Sequence, residues 1–269
     1  MKTIIALCSL LALATAAPVF SAEPAAFTVS VSGQGRPMIL IPGLSCPGAV
    51  WDTTIDRFEA RFECHVLTLA GFAGAPPRPA GPVLAPACDA LVEYIRQHDL
   101  QKPVIVGHSL GGFLALDLAA KHPELVGPLV VVDGVPFLFG MMRPGATVEQ
   151  ARASAAGMRQ FWEAMDAAAY EQHIRSGAGT RSMVVSDDDH ARIVGWSLAS
   201  DRATVTQVMT EMFTTDLREE LAAITTPAFV LGSVGARTSR LVSRPRSGRW
   251  GRNRRSLAAM CCSSSTASR

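Results

Sequence analysis

The sequence predicts an α/β fold, a mostly parallel sheet flanked by helices with a helical cap inserted late in the chain. Three observations carry this. The runs Met38–Ile41, 103–107 and Leu129–Val132 are short and almost wholly apolar, as strands buried on both faces are. Segments with helical spacing separate them, the strand–helix alternation of a parallel sheet. From 147 to 224 the strand signal stops and helical patterning takes over.

Taken in order, 27–32 alternates apolar and polar residues and reads as a half-buried strand, and 33–37 is a turn. Pro42-Gly43 breaks the strand at Met38–Ile41. A first helix is predicted over 51–62, a strand over 64–69, and a Gly-, Ala- and Pro-rich loop over 71–86. Leu91, Val92 and Ile95 mark one side of a helix over 87–98. A helix over 112–122 follows the strand at 103–107, and Asp133-Gly134 ends the strand at 129–132. Helices at 147–165, 167–175 and 187–214, with a break near Ser200, form the cap, placed at about 140–215. Met158, Phe161, Trp162, Met165, Trp196, Met209, Met212 and Phe213 are its expected inner surface, mostly its own core, with a few lining a substrate pocket. A strand returns at 227–232.

The 269 residues suit one domain of this kind, and 48% apolar residues suffice for a sizeable core. Charge is unevenly placed. Residues 236–269 hold nine Arg and no acid, so 1–235 carry −7 against a chain total of +2. The basic excess is thus local and gives no reason to expect nucleic-acid binding by the folded domain. At the other end, Lys2, the apolar run from Ile4 to Ala14 and the small residues after it resemble a secretory signal with cleavage after Ala16, Ser21 or Ala22. The expected organisation is therefore a signal at 1–22, the α/β domain at 23–235 and an Arg/Ser-rich, disordered tail at 236–269. Export places the protein in the periplasm or outside the cell, without stable membrane insertion after cleavage. Cys46 and Cys64 then stand as a possible disulfide pair or as small buried thiols, and both readings stay open, as does the state of Cys88.

Chemistry is concentrated in Gly107-His108-Ser109-Leu110-Gly111-Gly112, which lies directly after an apolar strand and before a helix. A Gly-x-Ser-x-Gly turn in that context lifts the Ser hydroxyl above the sheet edge. Gly107 and Gly111 leave room for the strained backbone, and the following helix turns its positive end toward developing negative charge. Ser109 is the predicted nucleophile.

Ile39-Leu-Ile-Pro-Gly-Leu44, the turn around Ser109 and Val130-Val-Val-Asp-Gly134 together resemble the α/β-hydrolase family over about 27–235. That resemblance implies serine-hydrolase chemistry with no cofactor and no metal. It implies an oxyanion hole made by the N–H groups of Leu110 and Leu44. It also implies a Ser–acid–His triad. The usual acid position follows the strand at 227–232, where this chain reads Gly-Ser-Val-Gly-Ala; Asp133, one strand earlier, is the position some members use. Turn formation is the other reading of Asp133.

The base is missing. No His follows His190, whereas family members carry theirs near the C-terminus. His65, His98, His108, His122, His173 and His190 all lie at positions unsuited to the role. Two explanations compete: a shift of reading frame near 235, favoured by 22 Arg against three Lys and by the loss of periodicity from 236, or a genuine basic arm for an anionic surface. If the first holds, the last strand and helix of the fold are missing.

The function expected is hydrolysis of a small ester or related acyl bond in a small-molecule substrate, impaired in this chain. A non-catalytic ligand-binding protein on the same fold is the alternative, as is carbon–carbon bond hydrolysis. Dehalogenase and epoxide chemistry are disfavoured because they use Asp as nucleophile. Neither the acyl and alcohol groups nor the oligomeric state can be read from the residues.

Overall fold

A computed structural model describes residues 25–184, 186–234 and 238–243. The signal at 1–22, Cys8, Cys261, Cys262 and the tail beyond 243 lie outside the described residues.

One seven-stranded sheet organises the chain. Its strands are β1 (Phe27–Gly33), β2 (Arg36–Ile41), β3 (Phe62–Leu69), β4 (Val104–His108), β5 (Leu129–Val132), β6 (Ala228–Val234) and β7 (Thr238–Ser243). The order is β1-β3-β2-β4-β5-β6-β7, with β3, β2, β4, β5 and β6 parallel and the two edges antiparallel. Between them run α1 (Asp52–Phe58), α2 (Leu84–Gln97) and α3 (Leu110–Lys121). The cap adds α4 (Leu138–Met142), α5 (Val148–Ala164), α6 (Ala167–Arg175), α7 (Asp187–Ala199) and α8 (Arg202–Thr214). Among the described residues no helix is long and apolar enough to cross a membrane.

β2 shows why its sequence is continuously apolar. Ile39 and Ile41 face the main core with Phe72, Leu91 and Phe113, while Met38 and Leu40 face a second layer with Trp51, Cys64 and Val106. Both faces are covered, so period-2 alternation vanishes. The strand order matters for function. The chain leaves β2 for β3 on one side and then crosses to β4 on the other, so the carboxyl ends of β2 and β4 flank the point where the winding reverses. Ligands of open α/β sheets bind at that point.

Several boundaries differ from the sequence reading. α2 begins at Leu84 rather than 87, because Pro86 falls in its first turn, where a missing N–H costs nothing. α3 begins at Leu110, directly after Ser109. α1 ends at Phe58, and the residues to Phe62 turn into β3. α4 went unread because its five residues are too short for periodicity to show. β7 lies inside the basic segment, where no regular element was expected; it pairs with β6 from Phe229↔Ser243 to Val234↔Thr238, and backbone pairing at a sheet edge requires no apolar pattern.

The cap also corrects one side chain. Phe161 is 58% exposed and meets His173 edge-on, so it belongs to no inner surface. Met158, Met209 and Phe213 build a small core with Phe137, Phe139, Ala151 and Ala155, whereas Met212 and Trp162 pack into the main core. Met165 and Trp196 are half-buried. Glu211 of α8 fastens the cap to the sheet domain. Its carboxylate accepts from the N–H groups of Val83 (2.9 Å) and Leu84 (2.8 Å) at the start of α2, and from Gln207 Nε2 (2.7 Å). Gln207 in turn accepts from Arg159 of α5.

Candidate active site

Ser109 occupies the single residue between β4 and α3, with φ 51° and ψ −112°. A left-handed φ is costly for a residue with a Cβ, on the order of 1–3 kcal/mol, and persists only when neighbours dictate it. Here they do. Its N–H donates to Val132 O (2.8 Å), and its carbonyl accepts from Phe113 N–H (3.0 Å) as α3 begins. The glycines are demanded by contact. A Cβ on Gly107 would lie 2.1 Å from the Gly111 carbonyl oxygen, and one on Gly111 would lie 2.2 Å from the Ile41 carbonyl oxygen. The turn is thus pressed against the end of β2 with no space for a side chain.

The two predicted oxyanion donors flank this turn. Leu110 is the first residue of α3, so its N–H has no acceptor within the helix. Leu44 follows β2 in a tight turn closed by Cys46 N–H to Gly43 O (3.2 Å), with Ser45 at φ 59°. Both N–H groups therefore belong to elements that end at the reversal of the sheet's winding. Leu110 itself is fully buried, which anchors the start of the helix.

Asp133 ends β5 with φ 48°, is exposed, and donates its N–H to Leu231 O (2.7 Å). Its charge is felt by His108, whose ring lies so close to Gly43 that a Cβ there would be 2.8 Å from Nδ1. Burial pushes the His108 pKa below its ordinary 6.5, and Asp133 opposes that shift. His108 therefore packs beneath the Gly43–Leu44 turn.

The other described histidines lie on other elements. His65, 3% exposed in β3, bonds Tyr94 Oη through Nδ1 and Glu63 through Nε2, both at 2.8 Å. His98 stacks on Tyr94, His122 caps α3 beside Glu124, and His173 meets Phe161. His190 sits on α7, its Nε2 buried beside Gly177, and follows the N-cap Ser186 as a helix-start sequence should. Among the described residues no group of His, Cys, Asp and Glu is arranged to hold a metal ion.

Cys46, Cys64 and Cys88 are free thiols, so the Cys46–Cys64 pair is not formed. Burial pushes Cys46 up to about 11, and Cys88 up to about 12 with help from Asp117. An open depression in the cap is lined by Phe139, Arg143, Gln150 and Ser154 among others, and Ser109 is not part of its wall. Sequence reading gave the loop over 71–86 and a helix break near Ser200 but not that the two meet, with Ala73 N–H donating to Ser200 Oγ (2.9 Å). A break alone does not say what it touches.

Comparison with known proteins places this geometry. The model of the "Alpha/beta hydrolase family" matches residues 38–262. A pimeloyl-[acyl-carrier protein] methyl ester esterase of Vibrio atlanticus is 36% identical over 106 residues, 39% of each chain. The match thus spans about two fifths of the length of such esterases. A protein of Serratia proteamaculans, provisionally named a carbamate hydrolase, is 28% identical over 203 residues, 73% of this chain and 72% of its own. Among solved structures, a hydrolase from Pseudomonas aeruginosa superposes with a TM-score of 0.64 at 18% identity, covering 81% of each chain, which speaks for the fold.

Proposed function

Since this chain belongs to the alpha/beta hydrolase family, we propose that it is a serine hydrolase built for a small ester or related acyl bond, with its turnover impaired in this chain. The observation that carries the reading is Ser109 at φ 51° between β4 and α3, flanked by glycines that contact leaves no freedom to change. In this reading Ser109 Oγ attacks the acyl carbon, and its proton must go to a base. The N–H groups of Leu44 and Leu110 receive the charge that develops on the carbonyl oxygen, each such donor contributing about 3–4 kcal/mol in comparable enzymes. Asp133 is the candidate acid that would orient a base.

The placement of the histidines supports the proposed impairment. His65, His98 and His173 have their rings engaged away from Ser109, His122 lies at the end of α3 and His190 on α7, and His108 packs against Gly43. Loss of one triad member costs several orders of magnitude in rate, while the oxyanion donors retain part of the catalysis. The relatives named as esterases favour ester over carbon–carbon substrates. A ligand-binding protein without turnover is the second reading, and the same histidine placement supports it. Export to the periplasm or beyond is part of the proposal and rests on the apolar N-terminus alone.

A fluorophosphonate probe followed by peptide mapping tests the central claim. Labelling of Ser109, lost in Ser109→Ala, is expected, together with p-nitrophenyl acetate turnover far below that of intact family members. Absence of label on Ser109 sinks the nucleophile assignment. Turnover equal to that of intact members sinks the impairment.

A further inference from the structure

The two faces of the sheet are not covered alike. On one, Ile39, Ile105, Leu129, Val131, Ala228 and Val230 all lie in the main core with Leu91 of α2 and Leu114 of α3. On the other, the helical cover among the described residues comes from Val50, Trp51, Ile55 and Phe58, in α1 and the turn just before it. The strand register shows how far that cover extends. Leu40 of β2 pairs with Val106 of β4, Val106 with Val130 of β5, and Val130 with Phe229 of β6. Exposure climbs along this row, from 0% at Leu40 and 7% at Val106 through a half-buried Val130 to 39% at Phe229. Val132 and Leu231, the next pair on the same face, are half-buried as well. β5 and β6 thus present four apolar side chains at the limit of what α1 covers or beyond it.

The course of the chain points to the occupant. β7 runs antiparallel to β6 and ends with Ser243 opposite Phe229, so the chain leaves the sheet beside the most exposed side chain of the row. Residues 244–269 hold seven Arg and no acid, and their one apolar run is Leu257-Ala-Ala-Met-Cys-Cys262. The match to the alpha/beta hydrolase family continues to residue 262, the end of that run. Fourteen residues separate Ser243 from Leu257 and can span about 45 Å, whereas the uncovered side chains lie within about 10 Å of Ser243 at ordinary strand spacing. Size decides against a second copy. Four side chains on two strands offer on the order of 200 Å². A stable interface between chains takes about 800 Å² from each partner.

We propose that residues 257–262 fold back onto the face formed by Val130, Val132, Phe229 and Leu231 and complete the cover that α1 begins. The Arg-rich residues 244–255 are then a solvated connection within the domain. Val132 is also the residue whose carbonyl accepts from the Ser109 N–H, so the docked run stands behind the strand that braces the nucleophile turn. The docking holds whether or not Ser109 is a nucleophile.

The test is photo-crosslinking in the full chain with p-benzoylphenylalanine in place of Phe229, which keeps an aromatic ring at the site. Trypsin cleaves after Arg255 and releases 256–269 as one peptide. A crosslink from position 229 to that peptide, within a monomer, is the expected result. Adding Leu257→Asp, which leaves Met260 free to react, is expected to lower the yield about tenfold, since a buried leucine is exchanged for a charge. Should that protein not fold, Leu257→Ala is the milder variant, with an expected fall of about fivefold. The same photoreactive group in place of Phe161, exposed on the cap, is expected to give no crosslink to 256–269. Crosslinks confined to 244–255, crosslinks only between two chains, or none at all overturn the proposal. An unchanged yield in the Leu257 variants, or an equal yield from position 161, overturns it too.

Discussion

The N–H of Ser109 donates to the carbonyl oxygen of Val132 at 2.8 Å, which ties the proposed nucleophile to the last residue of β5, immediately before Asp133. The nucleophile turn is therefore braced by three strands at once: it continues β4, bonds β5, and presses Gly111 against β2. Little in this arrangement can yield locally.

The first prediction concerns that pressure. Gly111→Ala puts a Cβ 2.2 Å from a backbone oxygen, where no flexible side chain can move aside. The loss is expected to be about 2–3 kcal/mol. For a chain of this size that is a fall of roughly 5–10 °C in Tm by thermal unfolding. An unchanged Tm would show that the turn is looser than its contacts imply.

A second prediction concerns the attachment of the cap. Glu211→Ala removes the acceptor of two N–H groups at the start of α2 and is expected to cost about 1–3 kcal/mol in denaturant unfolding. Glu211→Gln keeps one acceptor oxygen and is expected to lose less. Equal losses for the two variants would mean that packing, and not hydrogen bonding, fastens α8 to α2.

The third prediction is a pH dependence. Burial holds His108 below its ordinary 6.5 in the folded protein, with Asp133 as the opposing charge. Above 6.5 both folded and unfolded chains carry it neutral, and stability is at its full value. As pH falls through 6.5 the unfolded chain takes up a proton that the folded chain resists, so stability is lost until the folded-state pKa is passed. Unfolding free energies measured between about pH 7 and 5 should fall less steeply in His108→Gln. Identical slopes would place the pH dependence in other groups.

Much of the fold was legible because its signals are local. Continuous apolar runs report strands covered on both faces, and Gly-x-Ser-x-Gly between a strand and a helix reports the turn whatever surrounds it. The cap helices α5, α6, α7 and α8 were placed within a residue or two, since Thr147, Asp166, Ser186 and Asp201 are side-chain caps readable one helix at a time. Phe161 was misplaced because an apolar residue near the end of a helix can face either way, and only the neighbouring elements decide.

That no His follows His190 is likewise legible in the sequence without a structure. What the tertiary structure decided is which distant segments meet. Glu211 reaches α2 and Ser200 reaches Ala73, each across more than a hundred residues, and the ends of β2 and β4 adjoin only because the winding reverses between them. Hydrogen bonds at such separations leave no trace in local pattern. Their cost is the closing of long loops, and that cost is met by burial of the whole core, not by the residues that touch.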